Sequence, residues 1–135
     1  MYLLDTNVVS ELRKNKPHGG VLAWLNSVAD EAIFLSAVTM GQLQARVELT
    51  RSHDPRKAEE IEAWVDQLAQ SYQILPMDHQ PFGERARLMH GRSDQLLEDG
   101  MLAATAIVHR LTVVTRNTSD FEPFHVPLLN PFTGK

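Results

Sequence analysis

The sequence of 135 residues contains no cysteine. Disulfide bonds, thiolate catalysis and cysteine-ligated zinc or iron–sulfur sites are therefore excluded, and oxygen or histidine would have to bind any metal. The six histidines show no HxxxH or similar ligand spacing. We therefore expect scaffold or surface roles for them and no zinc site.

Long apolar runs and an excess of positive charge are also missing. No run approaches the roughly 20 residues of a membrane span, and no basic segment precedes an apolar stretch at the N-terminus. We therefore predict a cytoplasmic protein without membrane contact. The formal net charge of -4 argues against nucleic-acid binding through bulk basicity. A local group would have to attract a nucleic acid: Arg13, Lys14 and Lys16, or Arg116, could meet phosphate, and a solvated face is an equal alternative for the first three.

Short apolar strands alternate with amphipathic helices along the chain. The strands are predicted at 2–4, 33–35, 73–75, 111–115 and 126–129, and the helices around 8–12, 21–28, 40–49, 55–72, 82–89 and 102–108. Pro127 lacks an N–H, so the last strand fits only at a sheet edge. This alternation predicts one α/β domain over residues 1–135, an α/β/α sandwich whose mostly parallel sheet has four to five strands.

Three aspartates stand where such a sheet binds ligands, beyond the carboxyl ends of its strands. Asp5 follows the first strand, Asp99 begins the buried helix and Asp120 follows the fourth strand. Carboxylates that are brought together repel one another unless a cation binds between them. Mg²⁺ and Mn²⁺ prefer oxygen ligands, and the phosphate of a substrate commonly completes such a site.

Each aspartate alone also has a purely structural interpretation. Asp5 can cap the helix that follows it, which is worth roughly 1 kcal/mol. Asp99 can favour a helix N-terminus through the helix dipole, and Asp120 can belong to a solvated turn. The combination of all three is more specific than any one of them.

Three segments carry a resemblance to a known family: LLDTNVVSEL (3–12), EDGMLAATA (98–106) and VVTRNTSDF (113–121). Their order, spacing and the total length resemble those of the VapC and FitB PIN domains over nearly the whole chain. The resemblance implies a single PIN domain and Mg²⁺- or Mn²⁺-dependent cleavage of RNA by a toxin of a type II toxin-antitoxin system. It also implies a homodimer, inhibition by a small VapB-like antitoxin, and contact with DNA only through the antitoxin complex.

Carried over by position, the resemblance assigns metal binding to Asp5, Asp99 and Asp120. It implies supporting polar roles for four further residues: Thr6, Asn7, Thr115 and Asn117. In the implied mechanism, one or two Mg²⁺ ions polarise a phosphodiester and lower the pKa of an attacking water.

Gln42 is the fourth candidate catalytic residue and the one departure from the family pattern, which has glutamate there. Glutamine keeps a carbonyl ligand but lacks the negative charge and cannot act as a base. We therefore predict weaker metal binding and slower cleavage. A structural alternative is a capping box formed by Thr39-x-x-Gln42. A natural divergence and an introduced substitution would give the same sequence.

Two other functions compete with the ribonuclease hypothesis. Gln42 favours a catalytically feeble binding module that mainly holds its antitoxin or RNA. An aspartyl phosphotransferase also has an aspartate after its first strand, but it needs an acid two residues later, where this chain has Asn7.

Two features bear on partners. The small residues at 103–106 would let another helix approach closely, which favours a symmetric dimer. Trp64 is expected to pack inside a helical hairpin, which in the resembled family also helps to form the antitoxin groove. Neither the RNA target nor the identity of the antitoxin is specified by these residues.

Overall fold

The computed structural model describes residues 1–93 and 96–133. The strands are β1 (Tyr2–Leu4), β2 (Ile33–Ser36), β3 (Gln73–Leu75), β4 (Thr112–Val114) and β5 (Leu128–Leu129). The helices are α1 (Thr6–Val9), α2 (Gly19–Asn26), α3 (Ala37–Arg51), α4 (Pro55–Ser71), α5 (His79–Met89), α6 (Leu97–His109) and α7 (Thr118–Phe121). Short 3-10 turns lie at Ser10–Arg13, Asp30–Ala32 and Glu122–Phe124. Within these ranges, no helix is both long and apolar enough to cross a bilayer.

The five strands form one parallel sheet in the order β3-β2-β1-β4-β5. Tyr2 in the central strand pairs with Ile33 on one side and Thr112 on the other. Strand β5 lies at an edge, and the Pro127 carbonyl just before it accepts a hydrogen bond from Val113 N at 2.9 Å. The predicted parallel sheet and the edge position of the last strand are confirmed.

Helices cover both faces of the sheet, because successive strand residues point to opposite sides. Leu4 packs in a core cluster with Val47 of α3 and Val65 of α4. Leu3 packs in a second cluster with Leu102 of α6, and residues of α5 border it. The predicted three-layer α/β/α sandwich is thereby confirmed.

The order of the strands reverses beside β1, and this reversal determines where a ligand crevice lies. From β1 the chain adds β2 and β3 on one side and then returns to add β4 and β5 on the other. Crevices at such reversals lie outside the carboxyl ends of the two strands concerned. Here those ends lead directly to Asp5 and Thr115.

The predicted capping box at the start of α3 is wrong. The helix begins at Ala37, three residues before the predicted start, because Ser36 leaves β2 in an extended conformation and caps it. The Ser36 hydroxyl accepts a hydrogen bond from Val38 N at 3.0 Å. Thr39 is buried inside the first turn, so Gln42 has no capping role.

The small-residue run of α6 is not available to a second copy of the chain. The residues from Ala103 to Ala106 are fully or almost fully buried within the chain itself, where α6 packs between the sheet and α5. The predicted basis for a dimer is therefore wrong, since small residues reveal a close approach but not which element makes it. Helix α5, predicted around 82–89, begins earlier, and it buries Pro81 while Phe82 is 46% exposed.

Candidate metal centre

Asp5 lies at the carboxyl end of β1, almost completely buried. Its Oδ1 accepts a hydrogen bond from Thr6 N at 2.7 Å and caps α1. Its Oδ2 accepts one from Thr115 Oγ1 at 2.8 Å and one from Asn7 Nδ2 at 3.2 Å. Burial raises the pKa of Asp5, and these hydrogen bonds offset only part of that rise. The structural role predicted for Asp5 is therefore present alongside a carboxylate at the sheet edge.

A hydrogen-bond network fixes the surroundings of this carboxylate. The Thr115 hydroxyl accepts a bond from Asn117 N at 3.0 Å, and the Asn7 side chain donates to Thr115 Oγ1 at 3.3 Å. Asn7 Oδ1 in turn accepts a bond from Arg116 N at 3.1 Å. The loop after β4 is thereby tied to the start of α1. The supporting residues proposed from sequence all lie together here.

Asp99 faces Asp5 from the first turn of α6. The next residue, Gly100, is buried, and a Cβ there would lie 2.8 Å from Met89 Sδ, so glycine lets α5 pack close to this turn. Burial, followed by the charges of Asp5, Asp120 and Glu98, raises the pKa of Asp99 to about 6. The helix-start role and the cleft-lining role of Asp99 therefore coexist.

Asp120 lies in the short helix α7, half-buried, where a polar loop was predicted. It does not line the cleft surface, but its negative charge raises the pKa of both Asp5 and Asp99. The three aspartates are thus within electrostatic reach of one another, although only Asp5 and Asp99 line the cleft.

Gln42 lies on α3 and lines the same cleft. Its Oε1 accepts a hydrogen bond from the Thr6 hydroxyl, and its Nε2 donates one to the Glu98 carboxylate. The amide therefore connects the start of α1 to the start of α6, across the cleft. This contact joins residues 56 positions apart in the chain.

The cleft has a volume of about 670 Å³. It is lined by Asp5, Thr6, Asn7, Val38, Gly41, Gln42, Ala45, Arg46, Leu97, Glu98, Asp99, Met101 and Asn117. Sequence reasoning did not single out Glu98 or Arg46 as site residues. The signals were available: Glu98 is the neighbour of Asp99, and Arg46 follows Gln42 by four residues, which is one helical turn.

A second depression, which we call the apolar groove, adjoins the cleft at Arg46. It has a volume of about 410 Å³ and is lined by Ser10, Arg13, Lys14, Leu43, Arg46, Leu49, Thr50, Ile61 and Trp64. Trp64 packs against the core and also lines this groove, while Leu49 is 70% exposed. Arg46 borders both depressions and donates to Ser10 Oγ at 3.1 Å.

The PIN domain profile matches residues 2–122 of the chain. The chain belongs to the PIN-domain family. It is 36% identical to Toxin FitB of Neisseria gonorrhoeae, in an alignment that covers 98% of this chain and 99% of that protein. It is 34% identical to VapC ribonuclease Y4jK of Sinorhizobium fredii, in an alignment that covers 98% of each chain. The solved structure of FitAB bound to an IR36 DNA fragment is similar, with a TM-score of 0.86 and 34% identity over 98% of this chain and 96% of that chain. The predicted resemblance to VapC and FitB PIN domains is confirmed.

The donor set of this PIN domain fits a hard divalent cation. The cleft offers carboxylate, amide and hydroxyl oxygens, which Mg²⁺ and Mn²⁺ prefer. The pKa of Asp99 is raised first by burial and then by the neighbouring charges of Asp5, Asp120 and Glu98, and a cation would relieve that repulsion. Over the described ranges, no three acidic or histidine side chains converge closely enough to enclose an ion. To hold a cation together, the carboxylates would have to turn toward one another.

Proposed function

We propose that this protein is a metal-dependent endoribonuclease that hydrolyses RNA phosphodiesters as the toxin of a VapBC-type toxin-antitoxin system. One observation carries the proposal: Asp5 and Asp99 gather in one cleft, at the strand-order reversal of a PIN-domain sheet. Relatives named as a toxin and as a VapC ribonuclease, each aligned over nearly the whole chain, support it.

A divalent cation is the cofactor that the family implies, and we propose Mg²⁺ or Mn²⁺ held by Asp5, Asp99 and Asp120. When bound, such an ion polarises a phosphodiester and makes a bound water more acidic. Thr115 and Asn7 hold the Asp5 carboxylate in one orientation through hydrogen bonds. Thr6 and Asn117 support the same edge of the cleft, the first through Gln42 and the second through Thr115.

Arg46 is the residue that we propose to contact the phosphates beside the bond that is cut. The cleft itself is acidic, so without a cation it would repel RNA. The Arg46 guanidinium lies at the border of the cleft and is exposed, with a neutral hydroxyl of Ser10 as its partner. A guanidinium binds phosphate well through paired hydrogen bonds.

Gln42 is proposed to weaken the centre and not to abolish it. An amide keeps one oxygen for a ligand or a hydrogen bond but has no charge with which to attract a cation. Its oxygen already accepts a bond from Thr6, which leaves the amide fixed at the cleft wall. We therefore expect slower cleavage than with glutamate at this position.

The partner that we propose is a small VapB-like antitoxin, seated in the apolar groove. Trp64, Ile61 and Leu49 offer apolar surface there, beside the positive charge of Arg13, whereas that of Lys14 is already paired with Glu11. An amphipathic segment with acidic residues would complement both. FitAB, a similar protein, has been solved bound to DNA, so we propose that DNA is met only through such a complex.

The remaining parts of the proposal concern organisation and location. We propose that residues 1–135 form one domain, of which residues 2–122 match the family profile. A homodimer, which family membership implies, would have to use a surface other than the buried run of α6. The proposed substrate, cellular RNA, is consistent with a cytoplasmic location.

The test is cleavage of single-stranded and structured RNA by this protein beside Gln42→Glu, in Mn²⁺, Mg²⁺ or EDTA. Asp99→Ala is the control for contaminating nuclease. We expect cleavage by the given chain in Mn²⁺, faster cleavage by Gln42→Glu and none in EDTA. If neither protein cuts any RNA in either metal, the ribonuclease proposal fails.

A second candidate is a binding module with little catalysis, and the neutral Gln42 is the observation that favours it. It predicts undiminished binding of an antitoxin together with no turnover in Mn²⁺ by the given chain. Clear metal-dependent cleavage that disappears in Asp99→Ala removes this candidate.

A further inference from the structure

We propose that Glu98 supplies to the metal centre the carboxylate that position 42 lacks. The inference rests on the proposed function and adds a residue to its metal site. It starts from the contact between the Gln42 amide and the Glu98 carboxylate.

The geometry of Gln42 shows which of its neighbours carries charge. A carboxylate can only accept hydrogen bonds, so the amide must present its NH₂ group to Glu98 and its oxygen to the Thr6 hydroxyl. The negative charge that a glutamate would bring to position 42 is therefore present on Glu98, which contacts the Gln42 side chain from the opposite wall of the cleft.

Two further observations connect Glu98 with the cleft. It lines the same cleft as Asp5 and Asp99, and its side chain is exposed to the solvent from which a cation would arrive. Its charge also acts on Asp99, where it contributes to the raised pKa. A cation attracted by Asp99 is attracted by Glu98 as well.

The pairing limits the loss that an amide causes at position 42. With glutamate there, two carboxylates would repel each other in the metal-free protein, and a bound cation would relieve that repulsion. The amide instead donates to Glu98 and fixes its position beside the cleft. The proposed centre then has four carboxylates, those of Asp5, Asp99, Asp120 and Glu98. A centre with glutamate at position 42 and no Glu98 would also have four.

A purely structural role for Glu98 predicts a different behaviour. An acidic residue in the first turn of α6 stabilises the helix through its dipole, by roughly 0.3 to 1 kcal/mol. Such a role affects stability and does not depend on the length of the side chain. A role as a ligand of the cation affects metal affinity and does depend on the length of the side chain.

The experiment is calorimetric titration of Mn²⁺ into the full chain and four variants: Glu98→Gln, Glu98→Asp, Asp99→Ala and the exchange Gln42→Glu with Glu98→Gln. Glu59→Gln is the matched control, because Glu59 is an exposed glutamate on α4 away from the cleft. Melting temperatures in EDTA report on folding separately from metal affinity.

We expect Glu98→Gln to weaken Mn²⁺ binding by about tenfold and Glu98→Asp to weaken it less, while Glu59→Gln has no effect. The exchange should restore affinity to within about threefold of the starting protein, because it returns one carboxylate to the same place. If Glu98→Gln leaves the affinity unchanged while Asp99→Ala lowers it, the inference is overturned and the proposed metal centre stands. If Mn²⁺ binds with no dependence on Asp99, the proposed centre itself fails.

Discussion

The two sides of the cleft are built differently. On the sheet side, Asp5 accepts three hydrogen bonds, from Thr6 N, Thr115 and Asn7. On the helix side, burial and three neighbouring charges raise the pKa of Asp99 to about 6, and no hydrogen bond within the described residues offsets this. The sheet side is arranged before a ligand arrives, whereas the helix side holds charge that is not compensated.

This difference separates stability from metal binding. Removing a hydrogen bond on the sheet side leaves a buried carboxylate less well satisfied, which lowers the free energy of unfolding. Removing charge on the helix side relieves repulsion in the metal-free protein but takes away a ligand. Changes on the two sides should therefore move stability in opposite directions.

The largest expected effect is on activity. Asp99→Ala should lower kcat/KM for RNA cleavage in Mn²⁺ by about 100-fold or more, because it removes a proposed direct ligand of the cation. Circular dichroism should show an unchanged fold. Cleavage within a factor of about three of the starting protein would contradict the assignment of Asp99.

On the sheet side, Thr115→Val should lower the free energy of unfolding by about 2 kcal/mol. The change keeps the shape but removes a buried hydrogen bond to Asp5 and a part-buried one from Asn117 N. Urea denaturation measures it. Thr112→Val, in the half-buried part of β4, is the control and should change stability by less than about 0.5 kcal/mol.

On the helix side, Asp99→Asn should raise the stability of the metal-free protein at pH 7.5 by about 1 kcal/mol, a value reduced for solvent screening. The folded pKa lies near 6, above the ordinary 3.8, so the charged form is disfavoured in the folded state. The destabilisation that charged Asp99 causes in the folded state is present in full above pH 6 and disappears as the pH falls below about 4.

Urea denaturation in EDTA at several pH values measures how the stability gain from Asp99→Asn depends on pH. The stability difference between Asp99→Asn and the starting protein should shrink steadily from pH 6.5 to pH 4. A difference that stays constant over this range would mean that Asp99 is not the group that titrates.

The smallest expected effect is on stability at the C-terminal end of α6. Arg110, the C-cap of this helix, has a φ of 57°, in the left-handed region that favours glycine. Arg110→Gly should raise the free energy of unfolding by about 0.5 kcal/mol and leave Mn²⁺ affinity unchanged. A loss of metal affinity would show that any change in α6 disturbs the centre.

The sequence predicted most of the fold because period and composition are local signals. The strands at 2–4, 33–35 and 73–75 were placed almost to the residue. The start of α3 was not, since Ser36 and Thr39 are both able to cap a helix and only the extended backbone at Ser36 decides between them. The partner of the small-residue run in α6 was missed because composition does not specify what packs against it.

The candidate site was predictable wherever a residue directly follows a strand. Asp5 and Thr115 come together because β1 and β4 are parallel neighbours. The contact between Gln42 and Glu98 was not predictable, since it depends on how α3 and α6 approach each other across the cleft. That contact is also what changes the expected consequence of the missing acid at position 42.

The most direct test of the account is the position of Mn²⁺ in crystals of the protein, found from its anomalous scattering. The account predicts a peak in the cleft between Asp5 and Asp99, with both carboxylates turned toward it. A peak only elsewhere on the surface, or none at a Mn²⁺ concentration that supports cleavage, would contradict it.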